Sequence, residues 1–429
     1  MRKCEKFEPS PCGLLLVAAL LAAGCGDDSA VVDAGLPDAA PMDASQPDTS
    51  PLPDAGPPPA CAGVATLVEA VPGYGEGSAA PPTGFAASNG RYAYTFASLP
   101  AAGTPAGDAL HLAVVDGSGA TLADETLEQV GATEARLSDS ALGTLGGSFF
   151  AVWTRANLDA GGAVTGAEIH DAILSEDGDV LRPASVLYAS AAAPHMVVND
   201  AGGYLLRADL QLVSGTAVIT PRVTHLDVGG DPVGLDVTLL SFLNPEATEL
   251  GLALSAVGPT LLARVPPSQL FTVALSPEGG PIRTERRVDG FAFLDAFAAQ
   301  GERVLAVATE RAAGEGRVDA FLLDRDGTLV RHVELGRGGA VQPRAAAFAA
   351  WPGFAVAWRE GAGDSAMVRA AGVDLDGNLI VPAQDLIAAP GATGPVFGAN
   401  DGDGLALGFR QEAADGTASL ALVRSCVPR

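Results

Sequence analysis

The feature that most constrains this chain is a short apolar run that returns about once every fifty residues. RYAYTF from Arg91, FFAVWTR from Phe149, YLLRADL from Tyr204 and TLLARV from Thr260 are the first four. RVLAVATE from Arg303, GFAVAWRE from Gly353 and GLALGFRQE from Gly404 complete the set, with starts 43 to 58 residues apart. After most of them comes a second run ending in an acidic-Gly turn: LHLAVVDGSGATL, IHDAILSEDGDVL, VDAFLLDRDGTLV and VRAAGVDLDGNLI. Asp-Gly between β-patterned runs marks a hairpin, because glycine accepts the positive φ that a tight turn needs. The runs are too short and too often broken by glycine to be helices of a solenoid. With 53 Gly and heavy Ala usage, Ala-rich stretches carry little helical information here.

Ahead of each run lies a further short apolar segment, as in QPRAAAFAAWPG and TGPVFGANDGDG. Each unit therefore reads as four antiparallel strands: an inner segment, the apolar run, the strand before the Asp-Gly turn and the strand after it. Seven such units predict an all-β, seven-bladed β-propeller over residues 61–429. The pattern resembles secreted bacterial propellers with a Val-Trp-x-[Arg/Asp] strand and an Asp-x-Asp-Gly turn. Trp stands in that position only at Trp153 and Trp358, and the third and fourth units lack the Asp-Gly. The seventh unit runs out after its third strand, Thr417–Ser425. The stretch from Cys61 precedes the first unit and belongs to no other blade, so it is expected to supply the missing outer strand. Cys61 and Cys426 would then flank the place where other blades have a turn, and a disulfide between them would close a loop of some 365 residues. On the chain-entropy model that contributes about 5 kcal/mol.

The first residues give an address. Arg2, Lys3 and Lys6 precede the uninterrupted apolar run Gly13 to Ala23, which is too short for a lasting transmembrane helix and has the size of a signal-peptide core. Its end, Leu21-Ala22-Ala23-Gly24-Cys25, resembles the lipobox of bacterial lipoproteins, with the usual Leu one place early. The resemblance implies that residues 1–24 are a signal peptide and that Cys25 is acylated as the mature N-terminus, anchoring the chain to a bacterial membrane outside the cytoplasm, at the outer membrane or cell surface rather than the inner membrane. Cys4 and Cys12 leave with the signal, so only Cys61 and Cys426 remain free to pair in an oxidising compartment. Residues 26–60 carry seven Asp, eight Pro and no basic or aromatic residue. Such a segment buries too little apolar surface to fold, and Asp33, Asp38, Asp43 and Asp48 recur as in a self-repelling spacer.

Chemistry is harder to find. The formal charge of −26 argues against nucleic acid or an anionic membrane surface as a partner. There is no nucleophile elbow, H-E-x-x-H, C-x-x-C, P-loop, dinucleotide fingerprint or sialidase-type Asp box. Asp324 to Gly327 and Asp374 to Asn378 read as turns, since no further carboxylate follows at the spacing of a calcium loop. His111, His170 and His225 stand ten or eleven residues before a leucine that follows each turn. They are read as equivalent packing residues of the third strands, with Phe271 and Val318 in the same place in later blades. Arg136, Asp139, His195, Asn199, Asp295, Arg344 and Asn400 fall on inner segments and are expected to line the central channel. No catalytic residue, metal ligand or cofactor is assigned. The expected function is a monomeric binding or scaffold module of the envelope, its partner an envelope protein or a glycan. Two alternatives stand beside it: a propeller hydrolase or lyase acting on a carbohydrate or lactone with a metal in the channel, and an envelope assembly subunit.

Overall fold

The computed structural model describes residues within 66–425, apart from short segments between strands, of which 239–248 is the longest. Cys25, Cys61 and Cys426 lie outside the described residues, as do the signal and spacer segments. Seven antiparallel sheets account for the described strands, and the one helical feature among them is a single 3-10 turn at Gly363–Ser365. No helix among the described residues is long and apolar enough to cross a membrane.

Each sheet is a blade. The innermost strands are Gly84–Ser88, Ala135–Leu145, Ala191–Asn199, Glu249–Ser255, Leu294–Gln300, Arg344–Ala350 and Ala392–Asn400. Each packs beside the next and the seventh beside the first, so the blades close into a ring: a seven-bladed β-propeller. Burial follows from that geometry. Second strands are covered on both faces by neighbouring blades, which is why Phe149 to Trp153 is five consecutive fully buried side chains rather than an alternating pattern. Outermost strands such as Val180–Ala189 have one edge and most side chains in solvent. Pro183 and Pro382 stand fourth in the outermost strands of blades 2 and 6, where a missing backbone N–H costs no ladder bond and blunts the edge.

One turn joins third to outermost strand in five blades. It begins at Asp116, Ser175, Asp227, Asp324 and Asp374, and the glycine three residues on (Gly119, Gly178, Gly230, Gly327, Gly377) has φ between 77° and 92°. Where the first residue is Asp, its carboxylate accepts backbone N–H groups within the turn, as Asp116 does from Ser118 and Ala120. Blade 3 makes the same turn with Asp227-Val-Gly-Gly, so the lack of an Asp-Gly dipeptide there is no departure. The geometry requires an acceptor first and a glycine fourth.

The seventh sheet takes its outermost strand from the other end of the described chain: Thr66–Val71 pairs antiparallel with Ala418–Ser425, Thr66 opposite Arg424 and Val68 opposite Leu422. Blade 7 then locks onto blade 1. The Tyr94 hydroxyl donates to the Ala421 carbonyl at 3.1 Å, and the Arg424 guanidinium lies over the Tyr92 ring at 5.6 Å.

Candidate functional site

Because successive strands of a blade are antiparallel, connections alternate between the two sides of the ring. Inter-blade links and second-to-third loops share one side, here the loop face; the first-to-second and third-to-outermost turns share the other, the turn face. Innermost strands begin at the loop face and end at the turn face.

The beginnings of these strands are irregular. Register breaks fall between Ser138 and Ala141, Ala192 and His195, Leu294 and Ala296, and Thr393 and Phe397. In blade 1 the innermost strand is split outright: Ala79 lies opposite Ser98, but Gly84 lies opposite Thr95. All five irregularities lie toward the loop face, whereas blades 4 and 6 pair without a break. Bulges of this kind re-aim side chains and gather beside functional sites. Two are strained, with Asp139 at φ 46° and Ala193 at φ 52°, a region that L-residues seldom occupy.

Buried hydroxyls of the second strands hold the bulges in place. Thr95 bonds Ser140 at 2.8 Å, and Ser140 also bonds Thr83. Thr154 accepts the Ala193 N–H at 3.0 Å, and Thr309 donates to the Asp295 carboxylate at 2.7 Å. In blades 1 and 2 the hydroxyl reaches the bulge of the following blade, so the tie crosses the blade interface.

Of the seven inner-segment residues, Arg136, Asp139, His195, Asp295 and Arg344 stand at or near the beginnings of innermost strands. Asn199 and Asn400 end theirs, on the turn face. The side chains of Asn199 and Arg344 are outside the described residues. Arg136 donates to the Ala132 carbonyl at 3.0 Å and lies 3.8 Å from Asp108, which ties it to the junction of blades 1 and 2. Asn400 is exposed and reaches the Ala349 carbonyl at 3.4 Å. Asp139 and His195, from adjacent blades, act on each other. Burial holds the His195 imidazole below its ordinary pKa, and the Asp139 charge opposes that shift. Ser138 donates to the Asp139 carboxylate at 3.2 Å.

The three histidines of the third strands are not equivalent. His111 lies opposite Phe96 and His170 opposite Trp153, at matching mid-strand places, but His225 lies opposite Tyr204, nearer the turn that ends its strand. Counting back from the leucine misplaced it because the turn-to-leucine distance differs in blade 3. Phe271, opposite Ala263, stands at the same place as His111 and His170, whereas Val318, opposite Thr309, is one residue out of step. Each histidine packs on an aromatic ring, at centroid distances of 5.1, 5.9 and 5.0 Å for Phe96, Trp153 and Tyr204. His170 is in addition set between Glu128, at 3.2 Å from Nδ1, and Glu168, at 3.4 Å from Nε2. Among the described residues no three His, Cys, Asp or Glu side chains gather so as to hold a metal ion.

No protein-family model matches the sequence, and no curated protein matches it. Solved structures similar in fold include the Dos1 propeller, at 13% identity and TM-score 0.44 over 84% of this chain and 95% of that one. A mutant of NanB sialidase from Streptococcus pneumoniae aligns at 8% identity and TM-score 0.45 over 85% and 70%. Trypanosoma rangeli sialidase aligns at 11% identity and TM-score 0.40 over 80% of this chain, which spans about half of that protein, 54%.

Proposed function

We propose that this chain is a lipid-anchored, extracytoplasmic propeller that acts as a binding or scaffold module of a bacterial envelope, and that its ligand meets the loop face. Cys25 carries the lipid, residues 26–60 form the spacer, and a Cys61–Cys426 disulfide seals the ring. The observation that carries the reading is the coincidence, on one side of the ring, of the bulged strand starts, the charged side chains Arg136, Asp139 and Asp295, and the second-to-third connections. Those connections vary most in sequence: LPAAGTPAGD after Ser98, ANLDAGGAVTG after Arg155 and the stretch after Leu210. Loops on a rigid scaffold are where binding residues concentrate. An envelope protein or a glycan is the partner class. The test is charge reversal on each face in turn, Arg136→Glu and Asp139→Lys against Asp116→Lys and Asp376→Lys, followed by pull-down from envelope extract and glycan capture. Binding lost from the loop face alone supports the reading; binding lost from the turn face alone refutes it.

One observation favours a second reading, a propeller hydrolase or lyase acting on a carbohydrate or lactone. Asp139 and His195 place a carboxylate and an imidazole on adjacent innermost strands, where the charge of the first acts on the second, and these are groups that general acid–base chemistry uses. Turnover on such substrates that is abolished by Asp139→Asn, or a metal retained through purification, would favour the enzyme over the binding module.

A further inference from the structure

Eleven large aliphatic side chains are exposed among the described residues, and nine of them lie on the turn face or its outer rim. Three blades contribute adjacent pairs at the start of their outermost strands: Val180 and Leu181, Leu329 and Val330, Leu379 and Ile380. Leu122 holds the same place in blade 1, while Val228 and Ile282 project from the corresponding connections of blades 3 and 4. Six of the seven blades thus take part. In the seventh the outermost strand is Thr66–Val71, whose side chains are not among those described. The repeat in the sequence is an acidic-Gly turn followed within a few residues by an aliphatic pair. Natural edge strands usually carry charge where they meet solvent, so a circle of exposed aliphatics at this point calls for an occupant.

The path of the chain indicates which. Thr66 lies opposite Arg424, at the end of a strand that finishes on the turn face, so the polypeptide enters the ring from that side. Forty residues separate Thr66 from Cys25. A flexible segment of that length spans roughly 35 Å on average, short enough for the ring to touch the surface that holds its anchor. Some acidic groups of this face are engaged. Asp116 and Asp374 accept their own backbone N–H groups, Asp177 pairs with Arg91 at 3.2 Å, and Asp231 pairs with Arg182 at 2.8 Å. Asp124, Asp179 and Asp376 stay exposed beside the aliphatic side chains, so the outward surface is aliphatic and acidic, with no excess of positive charge. Such a surface fits an uncharged lipid interface and not an anionic one.

We propose that the turn face rests on the bilayer that anchors the chain, its aliphatic rim entering the boundary between headgroups and acyl chains. The proposal rests on the lipid-anchor reading. It deepens that reading by fixing an orientation: the loop face, with its bulged strand starts, looks away from the membrane.

The test uses the full acylated protein purified from membranes and reconstituted in phosphatidylethanolamine–phosphatidylcholine vesicles with bromine-labelled acyl chains. Leu181→Trp and Ile380→Trp report on the rim, and Val164→Trp reports on an exposed aliphatic position of the loop face. Wild-type fluorescence, from an interior that includes the buried Trp153 and Trp358, is subtracted as background. Both rim variants should lose most of their added fluorescence to the brominated lipid and Val164→Trp none. Replacing part of the lipid by phosphatidylglycerol should weaken the quenching. Protein that floats with the vesicles but shows no quenching, or equal quenching at all three positions, overturns the docking and leaves the anchor standing. Protein that does not float overturns the anchor and the docking with it. A rim that is unquenched but doubles the sedimenting mass shows that a second copy covers it, and that also overturns the proposal.

Discussion

Tyr94 joins the first blade to the last across 327 residues of sequence, and one atom separates what its ring does from what its hydroxyl does. The side chain is fully buried, with its ring 5.0 Å from Phe85 and its hydroxyl on the Ala421 carbonyl. Tyr94→Phe keeps the packing and removes one hydrogen bond, worth about 1 kcal/mol net and up to about 3 if the carbonyl is left unsatisfied. Tyr94→Ala also removes the ring and should cost about 3–5 kcal/mol. For a domain of this size the unfolding entropy converts 1 kcal/mol into roughly 1.3 °C, so the two variants should melt about 1–4 °C and 4–7 °C below wild type. Burial, with the neighbouring Tyr92, holds the phenol well above its ordinary pKa of 10. A phenol protonated in the folded chain but ionised in the unfolded one stabilises the fold fully below about pH 10 and loses that contribution as pH rises toward the folded value. Thermal unfolding followed by circular dichroism from neutral pH to about 11 should therefore show a shallower alkaline decline in Tyr94→Phe than in wild type. If the Phe variant melts with wild type and declines as steeply, the account of the blade 1–blade 7 junction is wrong.

Gly178 has φ 92°, and a Cβ there would lie 2.1 Å from that of Ala123 in the preceding blade, so Gly178→Ala should cost more than about 2 kcal/mol. Gly90→Ala, at φ 74° with nothing within 4 Å, should cost only about 1 kcal/mol, and equal urea midpoints for the two would discard the steric argument. His195 has its pKa lowered by burial, so its contribution is present above about pH 6.5 and is lost as pH falls. His195→Gln should flatten the acid limb of the stability curve, and an unchanged limb would mean that the imidazole is solvated. Non-reducing peptide mapping of exported protein should find Cys61 linked to Cys426, while free alkylation of both thiols would remove the seal. Cys25→Ser should move the protein from membranes to the soluble fraction, and continued membrane association would count against acylation.

The blade architecture was legible because two local signals repeat: doubly buried runs such as Phe149 to Trp153, and turns with an acceptor first and glycine fourth. Both follow from backbone chemistry within a few residues. The bulges were not legible. Ser138-Asp139-Ser140 and Ala192-Ala193 look like ordinary strand residues, and their irregularity is imposed from outside, by hydroxyls such as Thr95 and Thr154 on another blade. The placing of His225 failed for a related reason, since counting along one strand cannot tell where its partner sits. The inner-segment residues could be assigned to innermost strands from sequence, but not sorted into Asp139 and His195, which are coupled by charge, and Arg136, which turns to Asp108. That sorting depends on contacts between blades.

The seventh sheet has a consequence for the order of assembly. Thr66–Val71 is synthesised before any blade, yet its partner Ala418–Ser425 is made last. The earliest strand must wait, with its backbone donors and acceptors unmatched, while six complete hairpin sets form behind it. Premature pairing of that strand with a neighbouring edge would give a ring that cannot shut, so a truncated chain should be a substrate for proteases rather than a smaller propeller.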